Sequence, residues 1–403
     1  MRVLKFGGSS LASAERFCQV ANIIKDNSEK SQIAVVVSAP QGVTNHLVAM
    51  AENLNDEAKR ITDLGHFKRA ISTIIEELSV QLPEFNAENC IEALNTYESQ
   101  LSRFMQGVTM LSYCPDHIRA RIISTGERLS VAILDAVLQS SGLQVSLLSP
   151  ESFLFTNDSS LNAIADLALS KEQFKAQYQK LNNISLMPGF IGVSAPKDGK
   201  DPQVTTLGRN GSDYSAAVLA VCTEAECCEI WTDVDGVYNA DPRMIKEAKL
   251  LDYLSYQEAM ELSYFGASVL HPKTIGPLAQ HHIDCLIKNT SNPSAPGTLI
   301  SNENDQKKCV KAISNLDDLT MINVSGPGMK GMVGMASRVF ATMSRDNISL
   351  VLISQSSSEY CISFCIHTSD AKRAEQGLKE EFELELLNRE GGLPSLLICL
   401  LFH

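Results

Sequence analysis

Lys5-Phe6-Gly7-Gly8-Ser9-Ser10 ends a short apolar run and leads into a helical pattern, a combination suited to holding phosphate. Glycines let a backbone approach a phosphate closely, and the free N–H groups at a helix start face it. Lys5 would meet a transferred phosphoryl as a point charge. A tight strand-to-helix turn would use the same glycines, and the stretch alone does not separate the two readings. It lacks the G-x-x-x-x-G-K-[ST] spacing, so it is not a Walker loop. A second stretch, Leu207-Gly208-Arg209-Asn210-Gly211-Ser212-Asp213-Tyr214, runs into the helical pattern of residues 215–222. Ser and Asp at a helix start are ordinary caps. Arg209 inside the glycine loop tilts the balance, because a guanidinium can clamp a carboxylate with two parallel hydrogen bonds.

A third stretch, Trp231-Thr232-Asp233-Val234-Asp235-Gly236-Val237-Tyr238 with Asp241-Pro242-Arg243, ends a strand in acids, a glycine and an aromatic. Ligands of open α/β sheets sit at the carboxyl ends of strands. Taken alone, an Asp-Gly turn is the better account. The fourth, Ser124-Thr125-Gly126-Glu127-Arg128, reads by itself as a solvated helix cap. Its weight comes from the other three.

The elements around these stretches alternate. Arg2–Phe6 and Ile33–Val37 read as buried strands, with an amphipathic helix over residues 12–26 between them. Strand, helix and strand within forty residues make a βαβ unit with a parallel sheet. Residues 50–119 are polar with few breakers and read as an inserted helical section. Strands resume at 144–148, 185–191, 229–232 and 285–288. The sequence Asn292-Pro293-Ser294-Ala295-Pro296-Gly297 reads as the close of the first domain, and residues 301–308 as polar linker. Beyond it come a strand at 321–324, a helix at 333–345, strands at 348–354 and 361–366, and a helix at 371–386. That is β-α-β-β-α, one strand short of a ferredoxin-like unit.

The whole chain has 403 residues, 44% hydrophobic and 20% charged, with a formal net charge of −13. The length implies more than one domain. An acidic chain without a basic stripe argues against nucleic acid as a partner. The 11 cysteines include no CxxC pair and read as reduced thiols of a cytoplasmic protein. The opening residues lack the apolar region of a secretory signal. The apolar run at 393–402 is about half the ~20 residues needed to span a bilayer, so no membrane is expected.

Taken together, KFGGSS, VVSAPQGVTNHL, STGERLS, LMPGFIG, TTLGRNGSDYSAA, WTDVDGVYNADPR and GASVLHPKT resemble the aspartokinases, in the family's order. The likeness is greatest to the threonine-sensitive branch in which the kinase is joined to a homoserine dehydrogenase. It extends to about residue 386. The resemblance implies an α/β amino-acid kinase fold with a mostly parallel central sheet over residues 1–297. A linker follows at 298–314, then a ferredoxin-like ACT regulatory domain at 315–386. It also implies an ATP-dependent aspartate kinase that makes 4-phospho-L-aspartate and ADP, the first step toward lysine, threonine and methionine. Carried over by motif, Lys5 and Asp213 are the catalytic residues. Ser38, Thr44, Glu127, Phe190 and Arg209 would hold L-aspartate, with Arg209 on the α-carboxylate and Glu127 on the ammonium. Gly7, Gly8, Ser9, Ser212, Thr232, Asp233, Tyr238 and Arg243 would hold ATP, and Mg2+ would arrive with the nucleotide. No dedicated protein metal site is implied. A carboxylate nucleophile is already ionised at neutral pH, so no general base is needed.

The sequence departs from the family in two places. Ser268 stands where a lysine is usual, near the nucleotide phosphates, and Lys273 is the candidate substitute. Ser9 replaces a threonine and keeps the hydroxyl. Glutamate as substrate, or a non-catalytic ACT-containing sensor, are the alternatives; STGE argues against the first, and Ser268 is the second's one support.

Gly326-Pro327-Gly328-Met329-Lys330-Gly331 matches the dinucleotide-binding spacing, but too little chain follows for that fold. The region resembles an ACT domain instead. That resemblance implies threonine as effector at Asn347, Ile348 and Gln355, and a homo-oligomer. After residue 386 the likeness stops. Residues 387–403 read as a divergent apolar tail on an incomplete regulatory region. The expectation is an open strand edge near 321–324 or 348–354, weak threonine inhibition, and better solubility once 387–403 are removed.

Overall fold

The computed structural model describes residues 1–403 apart from 54–55, 197–200, 265–269, 303–309, 327–328, 330–331, 356–359, 388, 391–392, 395 and 403. The chain divides into two compact units, Met1–Ser314 and Asn315–His403.

The strands of the first unit are β1 (Arg2–Phe6), β2 (Ile33–Val37), β3 (Val145–Leu147), β4 (Phe155–Thr156), β5 (Ile184–Pro188), β6 (Ile191–Ser194), β7 (Val204–Thr206), β8 (Cys227–Thr232), β9 (Tyr253–Ser255), β10 (Asp284–Asn289) and β11 (Thr298–Ser301). Its helices are α1 (Ala14–Ser28), α2 (Val43–Glu52), α3 (Glu57–Gln81), α4 (Ala87–Leu111), α5 (Asp116–Ile123), α6 (Thr125–Ser140), α7 (Leu167–Gln177), α8 (Gly211–Thr223), α9 (Tyr256–Tyr264) and α10 (Pro272–Gln280).

Eight strands form one sheet in the order β3-β5-β2-β1-β8-β10-β11-β9, parallel throughout except where β11 meets β10. β1 lies at its centre, between β2 and β8. Because neighbouring residues of a strand point to opposite faces, β1 and β2 feed two cores. Leu4, Phe6, Ile33, Val35 and Val37 pack with α1–α6. Val3, Ala34 and Val36 pack with α8, α9 and α10. Strands covered on both faces are apolar along their whole length, as β1 and β2 are. α8 is sandwiched so fully that residues 211–222 are all buried, which suits its run of small and apolar side chains.

The expected close of this domain is corrected. Residues 292–297 make the connection between β10 and β11, and β11 continues the sheet past residue 297. Thr298 fixes the strand: its Oγ1 accepts from the Val237 N–H at 2.8 Å and donates to the Leu251 carbonyl at 2.6 Å. Proline and glycine there signal a hairpin turn, which on sequence looks the same as a boundary. A smaller sheet of β4, β6 and β7 also lies within this unit.

The second unit contains β12 (Leu319–Ser325), α11 (Met335–Arg345), β13 (Leu352–Gln355), β14 (Cys361–His367), α12 (Ala371–Glu381), α13 (Glu383–Leu387), a short pair β15 (Arg389–Glu390) and β16 (Leu393–Pro394), and β17 (Leu397–Phe402). Its main sheet is antiparallel in the order β13-β14-β12-β17. Antiparallel pairing excludes the dinucleotide-binding reading of the glycine stretch, which lies partly outside the described residues. The expected open edge at 321–324 is absent: β17 pairs with β12 from Thr320↔Phe402 to Ser325↔Leu397. The tail therefore supplies the fourth strand that the ferredoxin-like pattern lacked. Alternation explains it. Leu396 is fully buried, and Ile398 and Leu400 pack toward the same core while Leu397 and Leu401 face outward. The run is apolar throughout, so it is the strand's pleat that buries every second side chain, and its backbone pairs along β12. The other edge, β13, is exposed, as expected for 348–354.

Among the described residues, no helix is long and apolar enough to cross a membrane.

Candidate active site

The loops that carry the glycine and acid stretches meet at the carboxyl ends of β1, β2, β5 and β8. The Gly7 N–H donates to the Trp231 carbonyl at 3.1 Å, joining the ends of β1 and β8. The Ser38 N–H donates to the Phe6 carbonyl at 3.1 Å, and the Gly189 N–H to the Val37 carbonyl at 2.9 Å. The order of strands turns back on itself at β1, the usual place for a ligand crevice in an open α/β sheet. Two glycines set the spacing. A β-carbon on Gly8 would lie 2.9 Å from the Ala39 carbonyl oxygen, and one on Gly126 only 2.6 Å from the Ala39 β-carbon. Either side chain would push the β2 loop away from the site.

Lys5 and Asp213 are brought together. Lys5 Nζ lies 2.5 Å from Asp213 Oδ1, and both residues are buried. Lys5 comes from the central strand and Asp213 from the first turn of α8. That helix starts at Asn210 in the left-handed conformation, with no side-chain cap on its amides. Its N-terminus and Lys5 thus present positive potential around one carboxylate. Ser212 is buried beside Asp213. Ser9 and Gly8 belong to a single helical turn after β1, and Gly7 precedes it.

Glu127 sits in the first turn of α6 and is only 4% exposed. Burial pushes its carboxyl up to about 7, against the opposing pull of its own N–H, the Ala39 N–H and Arg128. Its Oε2 is buried without a hydrogen-bond partner among the described residues. A buried carboxylate oxygen left unpaired is costly, and a cationic ligand group would relieve it. Phe190 holds a left-handed φ of 71°, rare for a bulky residue, and its N–H donates to Ser215 Oγ at 2.9 Å. Thr44 lies in the first turn of α2, which begins at Gly42 without a side-chain cap. Arg209 is exposed at the entry to α8 and makes no ion pair among the described residues.

The candidate nucleotide residues are less tightly gathered. Thr232 ends β8, and its hydroxyl donates to Asp233 Oδ1 at 3.2 Å. Tyr238 lies beyond the Gly236 turn and bridges to Leu250. Arg243 is the outlier. Its side chain is 86% exposed and folds onto Asp241, with Nε and Nη2 at 3.1 and 2.7 Å from Oδ2. Ser268 lies outside the described residues. Lys273 is placed: its Nζ lies 2.5 Å from Asn162 Oδ1, and Asn162 backs directly onto Gly208.

Two residues at this rim escaped the sequence reading. Asn162 carries no local motif and arrives through the β4–α7 connection. His271 caps α10, and burial, Lys273 and Arg209 together lower its pKa. The HPKT stretch was its one sequence signal.

In the second unit, Gln355 lines a cavity of about 340 Å³ with Met329, Met332, Val333, Met335 and Ile362. Asn347 and Ile348 follow the opposite end of α11, roughly 16 Å away along an eleven-residue helix. Among the described residues, Gln355 lines this cavity and Asn347 and Ile348 do not.

Residues 1–289 match the amino acid kinase family and residues 322–382 match the ACT domain. The chain belongs to the amino acid kinase family. Within it, the chain is 45% identical over 390 residues to the bifunctional aspartokinase/homoserine dehydrogenases of Buchnera aphidicola and Haemophilus influenzae, covering 96% of this chain and 47% of each relative. The chain thus spans about half the length of these curated relatives. Among solved structures, E. coli aspartokinase III in complex with aspartate and ADP superposes with a TM-score of 0.80 at 28% identity, covering 99% of this chain and 85% of that one. The same enzyme with lysine and aspartate gives 0.77 at 27% identity.

Proposed function

We propose that the crevice at β1, β2 and β8 phosphorylates the side-chain carboxylate of L-aspartate with ATP. The observation that carries this reading is a buried Lys5–Asp213 pair in the same crevice as Glu127, a buried carboxylate with an unpaired oxygen. Glu127 receives the substrate ammonium, and Arg209 takes the α-carboxylate in a two-pronged contact. The β-carboxylate is then directed inward, toward Lys5. An oxygen of that carboxylate attacks the γ-phosphorus, the bond from phosphorus to the bridging oxygen breaks, and ADP leaves. Lys5 stabilises charge on the transferring phosphoryl, and the amides of Gly8 and Ser9 face it, that of Gly7 being held by the Trp231 carbonyl. The closed pairing of Asp213 with Lys5 fits a magnesium ion that travels with the nucleotide rather than one caged by protein. Asp213 and Ser212 would hold that ion, which supplies charge neutralisation between the phosphates. Thr232, Asp233 and Tyr238 hold the nucleotide, with Lys273 in the role left open by Ser268. Arg243 joins them on release from Asp241.

The identity to aspartokinases and the likeness to an aspartate-bound and ADP-bound enzyme support this reading. It places the chain at the entry to lysine, threonine and methionine synthesis in the cytoplasm. Threonine is the proposed effector of the ACT unit. Because Gln355 lies apart from Asn347 and Ile348, a homo-oligomer that pairs two ACT units would bring them together. ADP release measured with aspartate, with glutamate and without acceptor tests the activity. Release with aspartate alone is expected. Equal release with glutamate or without acceptor would overturn the assignment.

A further inference from the structure

The helical insert carries a cluster that the phosphoryl-transfer site does not use. His46 on α2 faces Asp63 and His66 on α3, and one ligating atom from each lies within 4.8 Å of the others. Asp63 and His66 are three residues apart, so they share one face of α3. His46 Nδ1 lies 3.0 Å from Asp63 Oδ1, and the two imidazole rings are 5.2 Å apart, edge to face. Asp63 is largely buried, and its second oxygen, Oδ2, has no hydrogen-bond partner among the described residues. His66 lies at the exposed rim. The helices beneath are fixed: Leu47 and Met50 of α2 and Phe67 and Ile71 of α3 are fully buried in one core.

We propose that His46, Asp63 and His66 form a binding site for a divalent transition-metal ion such as Zn2+. Two imidazoles and one carboxylate suit Zn, Co, Ni, Cu or Fe, and disfavour Mg and Ca, which take oxygen ligands. A tetrahedral ion with bonds of about 2.0–2.1 Å holds its ligand atoms roughly 3.3 Å apart. The ligand atoms, now within 4.8 Å of one another, would draw together around the ion. Three protein ligands leave a fourth position to water. The unpaired Asp63 oxygen gains the partner it lacks, and the ion ties α2, which begins at the β2 loop beside Thr44, to the helical insert.

The full chain, stripped with chelator, is titrated with Co2+ in excess Mg2+. The expected result is saturable uptake of one ion, with visible d–d bands and no thiolate charge-transfer band despite the cysteines. His66→Ala and Asp63→Asn each abolish those bands. One equivalent of Zn2+ raises the thermal midpoint of the parent chain and not of His66→Ala. Since His66 is exposed and outside the phosphoryl-transfer site, His66→Ala leaves the metal-free midpoint and the KM for MgATP unchanged. Bands that persist in both variants, a thiolate band, or no saturable uptake would each overturn the proposal. A change in KM for MgATP would show that the cluster serves the nucleotide's own magnesium instead, which also overturns it.

Discussion

The two sheets of this molecule solve the same problem in different ways. The parallel sheet of the first unit is covered on both faces, and its loops are held by close approaches such as Gly126 against Ala39. Little can move there without disturbing Lys5, Asp213 or Glu127. The antiparallel sheet of the second unit has one apolar face under α11 and α12 and an outer face that exposes Leu352, Leu397 and Leu401. Its fourth strand needs only apolar side chains at every second position and an unpaired neighbour, and the continuous apolar run 397–402 meets that demand. Chemistry thus rests on individual residues in the first unit, whereas the second rests on pattern.

The largest effect is expected where residue identity matters most. Lys5→Ala and Asp213→Ala should each cut turnover by about 10²–10³, the usual cost of removing a preorganised charge at a transition state. Each variant also leaves a buried charge without its partner, so the thermal midpoint should fall, and turnover is compared at a temperature where both variants remain folded. Near-normal turnover in either variant would break the contrast, since the site would then tolerate loss of its central pair.

The matching change in the second unit is Leu396→Ala. Emptying this fully buried position should destabilise that unit by about 2–5 kcal/mol. Hydrogen exchange at the β12 amides would report it as faster opening, with aspartate turnover unchanged. Removing residues 397–403 should do the same and reduce solubility, reversing what the sequence suggested. Unchanged exchange would mean that β17 contributes nothing to the sheet.

Arg209→Lys keeps the charge and loses the planar fork, and should raise the KM for aspartate on the order of tenfold while sparing that for ATP. An equal rise in both would show the pocket to be misassigned.

The smallest effect is one of pH. Glu127, with its carboxyl near 7, is mostly neutral at pH 6 and charged at pH 8. In the proposed role its charged form receives the substrate ammonium, so the KM for aspartate should fall severalfold across that interval. Glu127→Gln should flatten the dependence. In the ligand-free protein the sign is opposite. A carboxyl raised from its ordinary 4.5 favours the fold while neutral, so this group's contribution is present below 4.5 and lost as pH rises through 7. A KM that rises with pH would contradict the role given to Glu127.

How much was legible in the sequence follows the same division. β1 and β2 were readable because strands buried on both faces are apolar throughout, and the insert over 50–119, which holds α3 and α4, because it is polar with few breakers. β4, β6 and β7 are too short for periodicity to register. β11 was hidden by the Pro-Gly turn before it, and β17 because a short apolar run can be a tail or a strand until a neighbour is known. At the site, Lys5 stood out as a charge beside a glycine turn, whereas Asp213 read as an ordinary helix cap and took its role from the family resemblance, because its pairing with Lys5 is tertiary. Glu127 looked like a solvated cap, since its burial comes from Ala39 across the crevice. Asn162 and His271 reach the rim through tertiary packing that no local spacing encodes.

In the proposed reaction this crevice makes an acyl phosphate on aspartate. Hydroxylamine intercepts acyl phosphates as hydroxamates, so the parent chain and Lys5→Ala are incubated with MgATP, aspartate and hydroxylamine. Aspartyl hydroxamate is expected in step with ADP for the parent chain, about 10²–10³ less for Lys5→Ala, and none with glutamate. ADP released without hydroxamate would contradict it.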